Sequence, residues 1–309
     1  MGYTLCVLGC GTMGVAIISG VLASLEPRNI FSGPSPQKWE SYTPGTSSPI
    51  RDADASLPSR FVACVSRDET ARRLVNTFSA ARSAASVEVR AGKNVEAVQE
   101  SDVVLLCCKP QVASVILNES GMKEALNGKL LISILAGVTR SQLKAWVSPS
   151  TKVIRAMPNT PCKIREGMTV VSTLPSSDSE AVDRAIILQI FSSIGRCRFL
   201  DEKHFDACTA LSGSGPAFAC IFLEAMADGG VMMGLPRAEA LELAAQTLQG
   251  AARMTLQAGT HPAQLKDAVT TPGGCTIAGL LTLEDGRVRS TIARAIQIAT
   301  ERASELGKQ

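Results

Sequence analysis

Two short glycine-containing stretches combine residue types that could hold an anion. Residues 9–14 read GCGTMG after the apolar run YTLCVL, and residues 271–276 read TPGGCT before the apolar run IAGLLTL. Glycines let the backbone approach a ligand closely, and the free N–H groups at the start of a helix attract negative charge. Cys275 could also be a nucleophile at a helix start, so the second stretch leaves two interpretations open.

The stretch GCGTMG places Gly9, Gly11 and Gly14 in the pattern G-x-G-x-x-G. It follows a predicted buried strand and opens a predicted helix, which is the context that this pattern needs to bind a dinucleotide. The first glycine permits a tight turn, the second lets the backbone approach a pyrophosphate, and the third lets the helix pack close to the sheet. We therefore expect a dinucleotide here, with Thr12 and Met13 completing the turn.

The end of the second predicted strand bears on the choice of dinucleotide. An NAD site usually carries an acidic residue there, which accepts a hydrogen bond from the ribose. If RFVACVS is that strand, it ends in Ser66 and Arg67, whose hydroxyl and guanidinium suit a 2′-phosphate. Alternatively, Arg67 is only solvated and Asp68 takes the acidic role. We predict NADPH, and NADH stays open as the second choice.

Strand-like apolar runs alternate with helix-like segments in the first part of the chain, and these elements must position the residues above. Such alternation indicates βαβ crossovers and a mostly parallel sheet. We therefore predict an α/β fold with an N-terminal Rossmann-type sheet. The predicted strands cover residues 3–9, 60–66, 102–108, 129–135, 152–157, 169–173 and 196–200, with a helix over 13–25.

Residues 32–59 interrupt the alternation, because they are rich in Pro, Ser, Gly and Thr and have no helical or strand period. We interpret them as a surface insertion, with a regulatory loop as the alternative.

From residue 203 the pattern becomes helical, and Pro236 and Gly259 mark the start and end of a long helix. Helices this apolar need partners on several faces, which predicts a dimer or larger assembly. The predicted domains are 1–202, which binds the dinucleotide, and 203–309, which is all-α.

Composition limits the classes of partner. The chain has 309 residues, of which 45% are hydrophobic and 19% charged, and its formal net charge is +3. This weak charge argues against nucleic acid, and no stretch reaches the roughly 18 uncharged apolar residues of a membrane span. The N-terminus lacks the features of a signal peptide, and the ten cysteines form no CxxC pair. We therefore expect no metal site and a cytoplasmic location.

Seven stretches of the chain together resemble the pyrroline-5-carboxylate reductase family. They are LGCGTMG, CCKPQ, ISILAGVT, RAMPNTP, LSGSGPAF, ADGGVMMGLP and LKDAVTTPGGCTIAGLLTLE, and they run from residue 8 to residue 284 in the family's order. The insertion at 32–59 is the main departure, and its presence resembles the longer fungal-type members.

This resemblance implies NAD(P)H-dependent reduction of the cyclic imine L-1-pyrroline-5-carboxylate to L-proline, the last step of proline biosynthesis. It also implies a Rossmann domain and a helical domain that forms a homodimer, often assembled further into a decamer of five dimers. By the same resemblance, Asn159 and the TPGGCT loop bind substrate. The cofactor cleft would be lined by Asn94, Cys108, Lys109, Pro110, Ala136 and Gly137. Lys109 and Pro110 could instead form only a turn at a strand end.

Hydride transfer to a protonated imine needs neither a nucleophile nor a metal, because the imine carbon is already electrophilic. It needs a positioned ring, donors for one carboxylate and a polar group at the nitrogen. Gly273, Gly274 and the N–H groups that follow them can hold the carboxylate, and Thr271 and Thr276 add hydroxyls. Thr276 is our candidate for the group nearest the imine nitrogen, as the family pattern also suggests, whereas Cys275 is incidental. The alternative is that a threonine merely caps its own helix.

Three other functions fit these residues less well. A β-hydroxyacid dehydrogenase would need a Lys or His acid on the helix that joins its domains, where this chain has Lys203 and His204 only at the start. A dinucleotide-sensing regulator could keep GCGTMG but would not need both AMPNTP and TPGGCT. A hydrolase acting through Ser212 or Ser214 would need an activating histidine.

Overall fold

The computed structural model describes residues 2–26, 57–79, 85–174 and 180–306. The predicted insertion at 32–59 therefore falls mostly outside the described residues. The chain divides into two compact units, residues 1–213 together with 302–309, and residues 214–301. The sequence predicts the division after residue 202. The first unit instead continues to Gly213, because buried Phe205 packs in one small cluster with Met157 and Val170.

The first unit contains one eight-stranded sheet in the order β3-β2-β1-β4-β5-β6-β7-β8. The paired strands are parallel except for β6 and β7, so the predicted mostly parallel sheet is confirmed. Our sequence prediction omitted β3, because it rested on continuous apolar runs and SVEVRA alternates valine with charged side chains, a pattern typical of an edge strand. The strands are β1 (Tyr3–Leu8), β2 (Pro58–Val65), β3 (Ser86–Ala91), β4 (Val103–Leu106), β5 (Leu130–Ser133), β6 (Lys152–Met157), β7 (Gly167–Ser172) and β8 (Gly195–Leu200).

Helices cover both faces of this sheet, which explains why its central strands β1, β4 and β5 are apolar runs. In β1, Leu5 and Val7 belong to one core cluster, and Cys6 and Leu8 belong to the other. Side chains that alternate in this way along a strand point to opposite faces. The helices of this unit are α1 (Thr12–Leu25), α2 (Asp68–Ser79), α3 (Asn94–Gln99), α4 (Pro110–Leu117), α5 (Met122–Ala125), α6 (Arg140–Trp146), α7 (Glu180–Ser192) and α8 (Phe205–Cys208).

The second unit is helical, as predicted. Its longest helix, α10 (Arg237–Ala258), has Pro236 as N-cap and Gly259 as C-cap with φ of +61°, in agreement with the sequence. Many large apolar side chains of the second unit are exposed, among them Met232 at 80% and Ile221 at 65%. A unit with so little internal core suits packing against another chain. The helices are α9 (Gly215–Met232), α10 (Arg237–Ala258), α11 (Pro262–Ala268), α12 (Cys275–Asp285) and α13 (Val288–Leu306).

One helical stretch, Glu202–Met232, is long and apolar enough by length and composition to cross a membrane. The expectation from sequence concerned a run of about 18 uncharged apolar residues, which is a stricter condition than mean hydropathy. Alanines and large apolar residues raise the mean hydropathy of the stretch, although Glu224 and Asp228 lie within it. Core helices of proteins outside membranes pass the same test, so this property alone assigns no location.

Candidate dinucleotide and substrate sites

The glycine turn of GCGTMG connects the carboxyl end of β1 to α1, whose N-cap is Gly11. Gly9 has φ of +74°, and a Cβ there would lie 2.6 Å from the Cα of Cys108. A Cβ on Gly14 would lie 3.0 Å from Cγ1 of Val7, whereas one on Gly11 would have only the Gly9 carbonyl within reach, at 3.9 Å. The turn therefore requires glycine for its tight packing, and its open side at the start of α1 fits a pyrophosphate.

Most other residues predicted for the cofactor cleft follow neighbouring strands. Because β1, β4 and β5 are parallel, their carboxyl ends meet at one edge of the sheet. The strand order reverses direction between β1 and β4, and ligands of open α/β sheets bind at such a point. This edge carries Thr12 and Met13 after β1, Cys108, Lys109 and Pro110 after β4, and Ala136 and Gly137 after β5.

The structure shows which strand precedes Ser66 and Arg67, the residues on which the choice of dinucleotide depends. RFVACV lies in β2, which pairs with β1, and Ser66 and Arg67 follow it as exposed residues. Asp68 is the first residue of α2, where an acidic side chain suits the helix N-terminus. Asn94 follows the neighbouring strand β3 and donates from Nδ2 to Oε1 of Glu119 at 2.9 Å. Ser66 and Arg67 therefore follow the strand that the sequence pointed to, and their binding of a 2′-phosphate stays a prediction.

The thiols near this edge are poor nucleophiles. Burial raises the pKa of Cys108 to about 11. Burial, with a smaller contribution from Cys64, raises the pKa of Cys10 to about 12. Both are therefore protonated thiols near neutral pH. Across the described residues, no group of three or more His, Cys, Asp or Glu side chains is placed to hold a metal ion.

The TPGGCT loop lies between α11 and α12 in the second unit. Gly273 has φ of +68°, and the N–H of Gly274 donates to the Thr271 carbonyl at 3.1 Å. A Cβ on Gly274, the N-cap of α12, would displace the Thr271 hydroxyl and lie 3.3 Å from the Thr271 carbonyl oxygen, so glycine gives the loop its close approach here. No described side chain caps the helix, which is evidence against the capping alternative for either threonine. The loop thus presents free first-turn N–H groups beside exposed Cys275 and half-buried Thr276.

The two histidines have local surroundings that fit structural roles. His261 is the N-cap of α11, and its Nδ1 accepts from the N–H of Ala263 at 3.2 Å. His204 is an exposed residue just before α8. His261 therefore caps its own helix.

Asn159 follows β6, and both the oxygen and the nitrogen of its side chain form hydrogen bonds to backbone groups. Its Oδ1 accepts from the N–H of Met168 at 2.8 Å, and its Nδ2 donates to the Ser212 carbonyl at 3.0 Å. Sequence reasoning did not foresee these contacts, because they join residues far apart in the chain. Direct substrate binding by Asn159 stays a prediction.

Two family models match the chain. Residues 202–306 match the family described as pyrroline-5-carboxylate reductase dimerisation. Residues 48–137 match the family described as NADP oxidoreductase coenzyme F420-dependent. The matches fall on the helical part and on the sheet, respectively.

Curated relatives and solved structures extend this similarity over nearly the whole chain. The pyrroline-5-carboxylate reductase of Lophium arboricola is 48% identical, covering 99% of this chain and 93% of its own. That of Schizosaccharomyces pombe is 46% identical, covering 98% and 99%. The structure of the Plasmodium falciparum pyrroline carboxylate reductase with NADP bound is 27% identical with a TM-score of 0.72, covering 99% and 98%. A Coxiella burnetii pyrroline-5-carboxylate reductase is 26% identical with a TM-score of 0.79, covering 98% of both chains.

Proposed function

The chain belongs to the pyrroline-5-carboxylate reductase family, and on that premise we propose how its residues carry out the family's reaction. The enzyme reduces the C=N bond of L-1-pyrroline-5-carboxylate to give L-proline, with NADPH as the reductant and NADH as the alternative. The observation that carries this function is the 48% identity to a named reductase over 99% of the chain.

The substrate carboxylate binds, in this proposal, at the start of α12. The first-turn N–H groups after Gly273 and Gly274 are uncapped donors at the positive end of a helix dipole. Thr271 adds a hydroxyl that lies over Gly274. Thr276 is the group that contacts the imine nitrogen, and Cys275 contributes its backbone. These residues fix the ring and offer hydrogen bonds, which is what hydride transfer to an imine requires.

The dinucleotide, when bound, supplies the hydride. Its pyrophosphate would lie against Gly9, Gly11 and Gly14 and the first turn of α1, formed by Thr12 and Met13. Ser66 and Arg67 would hold the 2′-phosphate of NADPH, and Asn94 would lie near the adenosine ribose. The remaining lining residues are Cys108, Lys109, Pro110, Ala136 and Gly137. Their shared position at the carboxyl ends of parallel strands supports these assignments.

The enzyme assembles, in our proposal, as a homodimer through its helical unit, with five dimers in a decamer. The exposed Met232 and Ile221 and the matched dimerisation family support the dimer. We expect neither nucleic acid nor a membrane among its partners, because the net charge is only +3 and the apolar surface of the helices would meet another subunit. We place the enzyme in the cytoplasm, and its ten free cysteines support a reducing compartment.

A comparative assay tests the function. Purified protein with NADPH is given either pyrroline-5-carboxylate or a 3-keto acid, and loss of the reduced nicotinamide is followed by absorbance. We expect oxidation with the imine only. Oxidation with the keto acid alone would favour a β-hydroxyacid dehydrogenase instead.

A further inference from the structure

Residues Thr209–Gly213 form a π-helical turn at the end of the first unit. Such turns are rare and frequently mark functional sites. Its last three residues, Leu211–Gly213, begin the stretch LSGSGPAF, which the assignments above leave without a role. Uncommon backbone geometry persists only where surrounding contacts over-determine it, so the contacts of the turn are informative.

Local side chains hold part of the turn. The Thr209 hydroxyl donates to the Phe205 carbonyl at 2.8 Å, and the Ser212 hydroxyl donates to the Cys208 carbonyl at 2.9 Å. The Ser212 carbonyl is instead held from a distant strand end, because it accepts from Nδ2 of Asn159 at 3.0 Å. The Asn159 carboxamide thus joins the turn to the start of β7, where its Oδ1 accepts from Met168.

A second contact from the same motif, RAMPNTP, holds the segment before the turn. Arg155 is 5% exposed, and its Nη1 donates to Oε1 of Glu202 at 2.8 Å. Its guanidinium also lies 4.8 Å from the ring centroid of Phe205. The backbone N–H of Arg140 donates to the same Glu202 oxygen at 2.9 Å. Arg155 and Asn159 therefore fasten both ends of the segment 202–213 to the sheet.

We propose that Asn159 is a positioning residue for the reductase reaction and not a ligand of the substrate. It holds the turn Thr209–Gly213 in the geometry that turnover needs. The hydrogen bonds of the carboxamide support this role, because its oxygen already accepts from the Met168 N–H and one of its N–H groups already donates to the Ser212 carbonyl. The inference rests on the proposed function, since the turn matters only if the chain reduces the imine. Small errors in the placement of reacting groups slow hydride transfer strongly.

Asn159→Asp tests this role, because it keeps the acceptor for Met168 and replaces the donor to Ser212 by an oxygen that repels its carbonyl. We expect kcat to fall about 10-fold to 100-fold, with the KM for the imine within about threefold. The deuterium isotope effect on kcat with 4-deuterated NADPH should rise, and the Kd of NADPH should stay unchanged. Amide exchange over residues 205–213 should become faster.

The matched control is Asn118→Asp. Asn118 also donates from Nδ2 to a helix carbonyl, that of Ser114, at 2.7 Å. The same chemical change at the end of α4 should alter kcat by less than about twofold. Asn159→Ala removes the bridge without adding charge and should slow turnover similarly, so it replaces the Asp variant if that protein does not fold.

Two results would overturn the proposal. A large increase in the KM for the imine with kcat unchanged would make Asn159 a direct ligand. Unchanged kinetics and exchange in both Asn159 variants would remove it from the reaction altogether. Wild-type protein that lacks imine-dependent oxidation would instead contradict the reductase function itself.

Discussion

Thr276 is the side chain proposed to contact the imine nitrogen, and its hydroxyl can be removed with little change in packing. We expect Thr276→Ala to lower kcat/KM for the imine about 10-fold to 100-fold, because a hydroxyl that accepts from the protonated imine nitrogen is lost. Thr276→Ser should keep most of the activity. Thr282→Ala on the same helix is the control, since its hydroxyl only donates to the Ala278 carbonyl at 3.2 Å. Full activity in Thr276→Ala would exclude this residue from the mechanism.

Cys275 looks like a nucleophile in the sequence, yet imine reduction has no covalent step. Its side chain is exposed, and its backbone begins α12. We expect Cys275→Ala to retain substantial turnover, because the N–H group of the residue is kept. Steady-state rates with saturating imine measure this, and loss of turnover would restore a chemical role for the thiol.

Arg67 is proposed to bind the 2′-phosphate that distinguishes NADPH from NADH. Arg67→Gln removes the guanidinium from an exposed strand end. We expect the KM for NADPH to rise about 10-fold, as expected for one lost charge-assisted contact, while the KM for NADH hardly changes. Equal effects on both cofactors would place the 2′-phosphate elsewhere.

Three charged side chains on β2 and β3, together with Glu100 at the end of α3, form ion pairs that should make stability depend on pH. Hydrogen bonds from Arg90 and then Arg60, both at 2.6 Å, lower the pKa of Glu88 from 4.5 to about 2. Glu100, held by the same two arginines, also has a lowered pKa. A carboxylate with a lowered folded pKa stabilises the fold above its unfolded pKa, and the stabilisation is lost as pH falls through the folded value.

Urea unfolding across this window tests that dependence. The wild-type midpoint should fall as pH drops from about 5 towards 2, and Glu88→Gln should flatten part of that fall while lowering the midpoint at neutral pH. Because these groups are largely exposed, we expect the change to be modest. An identical pH profile in the variant would show that the Glu88 ion pairs do not contribute.

The same edge shows why some elements could be predicted from sequence and one could not. β1 and β4 to β6 are apolar runs, and their pattern is set by burial on both faces. β3 is an edge strand in which valines alternate with charged residues, a period-two strand pattern that a search for continuous apolar runs misses. GCGTMG and TPGGCT could be located because tight turns demand glycine. The bond from Asn159 to Ser212 depends on tertiary placement, which no local pattern encodes.

The whole molecule is expected to be an oligomer joined through the helical unit. Ile221 is 65% exposed on α9, where a partner subunit would cover it. We expect Ile221→Glu to lower the molar mass measured by light scattering after gel filtration, because a charge buried at an interface opposes association. Val115→Glu is the matched control, since Val115 is 67% exposed on α4 of the other unit and should leave the mass unchanged.

Sequence indicated that this unit needs a partner, because its helices are apolar on several faces. The structure agrees with this need for a partner, since large apolar side chains of α9 and α12, such as Met232 and Leu281, are exposed. The number of subunits depends on contacts between chains, which neither helix periodicity nor the fold of one chain specifies. A measured mass of five dimers would support the decamer.

Transfer of label from the cofactor to the product tests the central claim most directly. Purified protein is incubated with 4-deuterated NADPH, carrying deuterium at the transferred position, and unlabelled L-1-pyrroline-5-carboxylate, and the product is analysed by mass spectrometry and NMR. We expect L-proline with one deuterium at C5, the former imine carbon. Unlabelled proline, or no proline while NADPH is consumed, would contradict it.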